Sequence, residues 1–493
     1  MRQSRVACAE GHNDMQAFRK VLVLAVCCAA LWPVGAVAQA TQPATDVPAP
    51  VADRDAEHPT IQPAAECLAA AGNWSEPEKW AWGRICAREP VDFDVRYNTP
   101  GPRQDFTPLA GDSRRLISAT FVRQIFEDPR LARFTKDTLV VFVGAYIPSI
   151  DIGDATMGSF GLTRSKVGDN MTLVRTTIAR TLRIIDCEIG TLALERVQGG
   201  NIEISQAKID SVRMTQLDLT RLSFNAATID DLQVLISHFS GQLSILRGAY
   251  RKKIFLSEIK SDGLFVRPQT AGSVRIETYV NTGTFFLDVG AWTKDGALTI
   301  STVTTERFFL RRKLPADVTM SEFTFAGADW GPNPLPFLNS LTRYNPAIYK
   351  ALAESYASSG RSDTATAILI AKADADYANE SSLLTKTYLF AIWLLADYGY
   401  RPELGLLWIL GFVGIAAFVF KTGERSMTKG ARPRNWLVFA FDAVIPAIQL
   451  DGEHAEIGFK GWRQYFLYVL RFLSAVVVVL VVEMLRRSLP SFT

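Results

Sequence analysis

IEISQAKIDSVRM, residues 202–214, is the stretch of sequence that decides the fold. Large apolar residues stand two positions apart with polar residues between them, and short polar segments separate one pair from the next. Neighbouring side chains point to opposite faces of a strand, so this spacing predicts short strands with one apolar face. The inward candidates are a large/large pair, Ile202/Ile204, a small/large pair, Ala207/Ile209, and a second large/large pair, Val212/Met214.

The same two kinds of pair recur along much of the chain. Large/large pairs return every nine to eleven residues from Val141/Val143 to Val274/Ile276, and small/large pairs lie between them. The step is therefore about five residues. Four short strands and four corners make a coil of about twenty residues, which stacks on the next coil at about 4.8 Å. The pattern predicts a mainly β chain with a quadrilateral β-helix over residues 138–330.

An antiparallel meander with a hairpin every ten residues is the alternative. Hairpins favour Asn-Gly or Asp-Gly turns, and between Val141 and Ile276 only Asp262-Gly263 qualifies. The β-helix is therefore the better interpretation. Beyond Val274 the spacing of the pairs loosens, so we expect the last coils to be irregular and to end near Trp330.

A stack of coils needs a cap because its first and last coils expose unpaired backbone and apolar surface. Residues 67–137 are predicted to form an N-terminal helical cap. Ser75-Glu76-Pro77-Glu78 has the form of a capping box that begins one helix, and a second helix is expected from Arg114 to Phe126, before Asp128-Pro129.

The N-terminus has the features of a secretory signal peptide over residues 1–38. Arg19 and Lys20 precede the apolar run Val21 to Trp32, and Ala36-Val37-Ala38 is a small-residue cleavage site. The alternative is an uncleaved N-terminal anchor. Residues 39–66 contain five prolines and no apolar periodicity, which is typical of a disordered linker.

Three of the six cysteines lie outside the predicted signal peptide. An oxidising compartment would allow Cys67 and Cys86 to form a disulfide, and two unlinked thiols are the alternative. Cys187 pairs with Ile189 in the repeat, so it is interpreted as a small core residue rather than a reactive thiol.

The segment after the β-helix is predicted to be helical. Asn345-Pro346 is an N-cap followed by proline, and Gly360 is a stop signal, which indicates a helical hairpin over residues 344–380. Residues 383–400 suit an interfacial helix.

Two transmembrane helices are predicted, over residues 404–420 and 465–485. Arg471 and Glu483 in the second must reach the interface or face protein. The loop 421–464 carries seven Lys or Arg residues, which predicts a cytoplasmic position. Within it, Trp436 to Leu450 is expected to be a membrane-surface or re-entrant segment rather than a third span.

Several motifs together resemble a group of bacterial membrane-anchored, pentapeptide-repeat-like β-helix proteins. The resemblance rests on the repeat and on Trp80 to Cys86 with Asp92-Phe93, Arg115 to Ala119 with Phe121, Tyr349 to Gly360, Tyr398 to Pro402, and Asp442 to Pro446 with Gln449-Leu450. It implies a right-handed quadrilateral β-helix followed by helices and membrane spans. Some of these proteins carry the label membrane-associated oxidoreductase, but the resemblance supplies no catalytic residues.

The sequence offers little catalytic chemistry. His12, His58, His238 and His454 are dispersed, so neither a metal site nor a histidine-based triad is expected. Gly199-Gly200 is interpreted as a corner of the repeat rather than a phosphate loop. We therefore predict no catalytic, cofactor-binding or metal residues.

Charge on the coil surface indicates a solvated, mixed face. Asp210, Asp230 and Asp231 are balanced by arginines such as Arg183 and Arg213, although paired carboxylates could serve glycan chemistry. The formal net charge of +3 gives no argument for nucleic acid.

The leading hypothesis is a scaffold or interaction protein of the bacterial inner membrane, with a periplasmic β-helix whose flank binds a protein partner and with helices in the lipid bilayer. An envelope polysaccharide-directed or redox enzyme is one alternative. A transport or gating component, suggested by Asp442 and Arg471 near the membrane, is another.

Overall fold

The computed structural model describes residues 65–98, 106–311, 314–331, 333–422, 427–429, 433, 435–445 and 457–488. The predicted signal peptide and nearly all of the predicted linker lie outside the described residues. Ala65 and Glu66, assigned to the linker, belong instead to the first helix.

Short helices precede the repeat. They are α1 (Ala65–Ala69), α2 (Glu76–Cys86), α3 (Phe93–Arg96), α4 (Thr107–Gly111), α5 (Ala119–Glu127) and α6 (Pro129–Thr135), with strand β1 (Val91–Asp92) after α2.

The expected helix from Arg114 was wrong at its start. Ser113–Arg115 form one 3-10 turn and α5 begins only at Ala119, because the Ser118 hydroxyl accepts a hydrogen bond from the Phe121 amide at 3.1 Å. Leu116 is extended and bridges Tyr146 in the first coil.

The central part is a stack of short strands that becomes a stack of long ones. The strands are β2 (Leu139–Val143), β3 (Tyr146–Ile147), β4 (Ile150–Gly153), β5 (Thr156–Thr163), β6 (Lys166–Val174), β7 (Thr177–Ile185), β8 (Glu188–Glu195), β9 (Gln198–Ser205), β10 (Lys208–Thr215), β11 (Asp218–Asn225), β12 (Thr228–Phe239), β13 (Gln242–Leu246), β14 (Ala249–Arg267), β15 (Thr270–Leu287), β16 (Ala291–Leu310) and β17 (Asp317–Asp329).

Strands β1 to β17 form one sheet that coils into a solenoid. Every pairing in this sheet is parallel, for example β10 with β12 and β5 with β7. Val140 pairs with Phe160 and Ser273 with Ala297, so a coil takes 20 to 24 residues. The predicted β-helix is confirmed as a solenoid of about nine coils. The meander is excluded, and Asp262-Gly263 lies within β14 rather than in a hairpin turn.

The predicted inward pairs form the core, but in the first coil the inward positions are shifted by one residue. Ile204 and Ile209 are buried, as are the other pairs from Ile150/Ile152 onward. In the first coil, however, Val140 and Phe142 point inward instead of Val141 and Val143. Leu139–Val143 is a run of five apolar residues, so a period of two did not determine which alternate residues face the core.

The predicted corner Gly199-Gly200 lies within β9, and the register with both neighbouring coils skips Gly200. Gly199 is exposed and is in register with Ile178 and Leu219 of the neighbouring coils. Its φ is +120°, and an added Cβ would lie 2.0 Å from the Ile178 carbonyl oxygen. The backbones approach so closely here that only glycine fits.

A left-handed residue follows most of the large/large pairs. Arg196, Gln206 and Gln216 have φ of 53°, 55° and 56°. The amide of each such residue donates to a carbonyl of the next coil, as Arg196 does to Thr215 at 3.0 Å and Gln206 to Asn225 at 2.9 Å. These intercoil bonds offset the steric cost of a left-handed residue that is not glycine.

Helices follow the solenoid. They are α7 (Leu335–Leu338), α8 (Pro346–Ser358), α9 (Ser362–Asn379), α10 (Leu383–Ala396), α11 (Pro402–Thr422), α12 (Trp436–Val444) and α13 (Trp462–Ser488), and β18 (Met427–Lys429) pairs with β19 (Gly458–Phe459). Within the part of the chain that the structure describes, two segments are long and apolar enough to cross a membrane, Leu404–Thr422 and Trp462–Val479. The Asn345 side chain caps α8 at the Ala347 amide.

Candidate interaction surface

The N-terminal end of the solenoid is covered by the apolar faces of the capping helices, with Phe126 packed 5.3 Å from Phe160, and by a group of buried charged side chains. Asp94 is fully buried and accepts hydrogen bonds from Arg115 at 2.7 Å and from Arg164 at 2.9 Å. Arg115 also donates to the Gly144 carbonyl at 3.0 Å, and β1 pairs with β2. The cap thus supplies backbone pairing and an ion network to the first coils.

Glu78 joins two helices of this cap. Its carboxylate accepts from the amide and hydroxyl of Ser75 at 2.8 and 2.7 Å, and from the amide and hydroxyl of Ser118 at 3.1 and 2.5 Å. The capping box predicted for α2 is therefore present and also reaches the N-cap of α5. Burial raises the pKa of Glu78, but the bonds from Ser118 and Ser75 outweigh it, so the pKa lies below its ordinary value of 4.5.

Cys67 and Cys86 form a disulfide that ties α1 to the end of α2. The Trp82 indole donates to the Cys67 carbonyl at 2.8 Å beside it. Cys187 is buried in the solenoid, and burial raises the pKa of its thiol to about 12, so the thiol stays protonated at neutral pH.

The C-terminal end of the solenoid is covered by aromatic rings and neutral donors. Trp330 packs against Phe308 and Phe337, with ring centroids 5.7 and 4.0 Å apart. Helix α8 bonds to the last strand, because the Ala328 amide donates to the Ser355 hydroxyl at 2.7 Å and the Tyr356 hydroxyl donates to the Gly331 carbonyl at 2.6 Å.

The flank of the early coils is polar and internally paired. Glu188 accepts from Lys166 at 2.8 Å and from Lys208 at 3.4 Å, and Arg183 bonds Glu203 at 3.0 Å. These pairs link neighbouring coils.

The acidic residues considered for glycan chemistry lie on the same mixed-charge surface. Asp230 lies 3.5 Å from Lys252, Asp231 lies 3.5 Å from Lys253, and Asp210 is exposed. His238 is exposed and lies 3.0 Å from Asp218, its counterpart in the preceding coil. Asp230 and Asp231 therefore each have a lysine beside them, and the surface around them is of mixed charge.

The later coils carry a different flank, a row of three outward phenylalanines that we call the aromatic stripe. Phe265 pairs in register with Phe286, and Phe286 with Phe309. Their centroids are 6.5 and 5.8 Å apart with planes inclined by 19° and 20°, and all three rings are partly exposed. In earlier coils the same outward column holds Ser223 and Ser244.

Charged and small residues border the aromatic stripe. The Arg267 guanidinium lies 5.0 Å from the centroid of Phe286 and 3.6 Å from Asp288. The Phe265 ring leans over Gly263, where an added Cβ would lie 3.1 Å from it. The stripe is thus apolar with an arginine at its edge, which suits a protein partner with apolar anchors and acidic neighbours.

Sequence reasoning missed the aromatic stripe. The signal is the middle residue of Leu264-Phe265-Val266, Phe285-Phe286-Leu287 and Phe308-Phe309-Leu310, where a polar residue is expected at the outward position. The repeat was identified from its inward positions, so the three phenylalanines at the outward positions between them were not compared with one another.

Other chemistry is sparse among the described residues, which contain no group of three or more His, Cys, Asp or Glu placed to hold a metal ion. Asp442 lies in α12 and Arg471 is an exposed residue of α13. Comparison with family models, curated proteins and solved structures finds no match to this chain.

Proposed function

We propose that the protein is a scaffold of the bacterial inner membrane that binds a protein partner through the aromatic stripe. A cleaved signal peptide exports the chain. The solenoid is a right-handed quadrilateral β-helix of the pentapeptide type on the periplasmic side, and α11 and α13 anchor it in the bilayer. The two apolar helices and the Lys- and Arg-rich loop between them support this arrangement.

The aromatic stripe is the observation that carries the proposal. A partly exposed row of three rings on an otherwise polar flank retains apolar area that a partner can bury. The stacked coils hold the rings at fixed spacing, so little side-chain freedom is lost on binding.

Co-purification from native membranes tests the binding surface. Phe286→Asp places a charge in the middle of the stripe and should reduce recovery of the partner at least about tenfold. Ser223→Asp is the matched control, because it places the same charge in the same outward column three coils earlier, and it should leave recovery unchanged. Equal recovery with both variants would reject the stripe as the binding surface.

Reporter fusions test the orientation. A reporter joined near Arg425 should be active in the cytoplasm, and one near Asp374 should be active outside it. The reverse pattern would overturn the periplasmic placement of the β-helix.

A further inference from the structure

Three consecutive left-handed residues join α10 to the first candidate span. Asp397 has φ 51° and ψ 55°, Tyr398 has φ 61° and ψ 17°, and Gly399 has φ 91°. Two of the three are not glycine, and Tyr398 is bulky, so the backbone is strained here. At the solenoid corners such residues occur singly, and several bond to the next coil.

Side chains hold this bend in place. Asp397 is buried and its carboxylate lies 3.5 Å from Arg401. The Tyr398 hydroxyl donates to Asp374 on α9, and burial followed by the charge of Asp374 raises the pKa of Tyr398, which keeps the hydroxyl protonated. The bend thus connects the helical hairpin of α8 and α9 to the membrane helices.

The bend also folds α11 back towards α10. The Trp408 indole donates to the Leu394 carbonyl at 3.2 Å, although these residues are fourteen positions apart. In one continuous helix the same residues would lie about 21 Å apart along the axis.

A continuous helix is the natural competitor of the bend. Residues 397–401 returning to right-handed geometry would join α10 to α11, at the cost of placing Pro402 inside a helix. Left-handed strain in the bend and an internal proline in the joined helix are backbone penalties of the same order, so the side-chain contacts of the bend decide which form is favoured.

We propose that Asp397–Gly399 is a strained latch with two conformations, in which the bent form is held by the contacts of Tyr398 with Asp374 and of Asp397 with Arg401. Release of the latch straightens α10 and α11 into one kinked helix and changes how the exported hairpin is held at the membrane. The inference rests on the proposed membrane anchoring but not on partner binding.

Distances between spin labels in the full chain, reconstituted in lipid nanodiscs, test the latch. Labels at Leu384→Cys and Leu410→Cys occupy exposed positions on α10 and α11, whereas Cys187 is buried and Cys67 and Cys86 are joined in a disulfide. The wild-type latch should give one short distance. Tyr398→Phe combined with Arg401→Gln removes both side-chain contacts and should add a second, longer population of up to about 39 Å, the length of 26 residues in a straight helix at about 1.5 Å each.

A glycine variant distinguishes the effect of backbone strain from the effect of losing the two side-chain contacts of the bend. Tyr398→Gly with Arg401→Gln lacks the same two contacts, yet glycine adopts the left-handed conformation without cost, so this variant should keep the single short distance. Tyr388→Phe, an exposed position on α10, should behave as the wild type. A single short distance in the phenylalanine variant, or the same distribution in the phenylalanine and glycine variants, would refute the latch. Partner recovery is not needed for this measurement, so failure of the binding proposal would leave it unaffected.

Discussion

Both ends of the solenoid have a terminal coil whose backbone and apolar side chains must be covered, and different side chains cover them. The N-terminal end is covered by a buried ion network around Asp94 and Arg115 and by the Glu78 carboxylate. The C-terminal end is covered by the Trp330 and Phe337 rings and by the neutral hydroxyl of Tyr356. Both bond to the backbone of a terminal coil and both cover it with apolar rings, so the ends differ in the fully buried ion pair that the N-terminal end adds.

We therefore expect the stability of the N-terminal end to depend more strongly than that of the C-terminal end on its ion-pair partners and on pH. Removing one member of a buried ion pair leaves the other charge without compensation in a poorly solvated site. Removing a hydroxyl leaves only neutral groups without a partner. The middle of the stack is held by buried apolar side chains, by backbone hydrogen bonds between coils and by ion pairs on its surface.

The largest expected effect is in the middle of the stack. Ile204→Asp would bury a carboxylate between coils and should cost at least about 5 kcal/mol, which prevents stable folding. Limited proteolysis of the purified chain would measure it. Glu203→Ala and Lys208→Ala change outward groups of the same strands and should each shift stability by about 0.5 kcal/mol or less. If Ile204→Asp resists protease as well as the wild type does, the inward assignment is wrong.

Arg115→Ala tests the charged end. It removes the 2.7 Å ion pair of the buried Asp94 carboxylate and should lower the free energy of unfolding of the cap by about 3–5 kcal/mol. Tyr356→Phe, at the other end, should cost about 1–3 kcal/mol. Hydrogen exchange of β2 and β17 amides would report each end separately. Equal losses at the two ends would contradict the contrast between charged and neutral caps.

The disulfide gives the N-terminal end a further constraint. Cys67→Ser with Cys86→Ser opens a loop with a sequence separation of 19 and should reduce the stability of the cap by about 3 kcal/mol in the chain-entropy model. Peptide mapping without reductant should find the two cysteines joined in the exported protein. Free thiols at both positions would reject the pairing and the oxidising compartment that it implies.

The smallest expected effect is acid sensitivity of the N-terminal end. Because the folded-state pKa of Glu78 lies below 4.5, the stability it contributes is complete above that pH and is lost as the pH falls through the folded-state pKa. Glu78→Gln should flatten the acid dependence of α2 and α5 protection in hydrogen exchange. Protection of α8, which is bonded through neutral hydroxyls, should change less. An unchanged acid profile in Glu78→Gln would assign the sensitivity to other groups.

The sequence by itself determined the repeat. The pairs from Ile150/Ile152 onward, the parallel stack, the helices at both ends and the two apolar helices follow from periodicity and composition, because side-chain alternation along a strand is a local property. Where local pattern was ambiguous, the prediction failed. Val140 and Phe142 face inward within a run of apolar residues, and the helix expected at Arg114 begins at Ala119 because the Ser118 hydroxyl caps it there.

Only the tertiary structure decided the features that depend on residues far apart in sequence. The aromatic stripe requires stacking of positions 21 and 23 residues apart, and the Asp94–Arg115–Arg164 network spans 70 residues. The left-handed residues at 397–399 carry a tyrosine where a local rule expects glycine or asparagine, so contacts with α9 and Arg401 had to be known before the bend could be inferred. The physical reason is common to all three: local preference is a small energy that packing and charge between distant segments override.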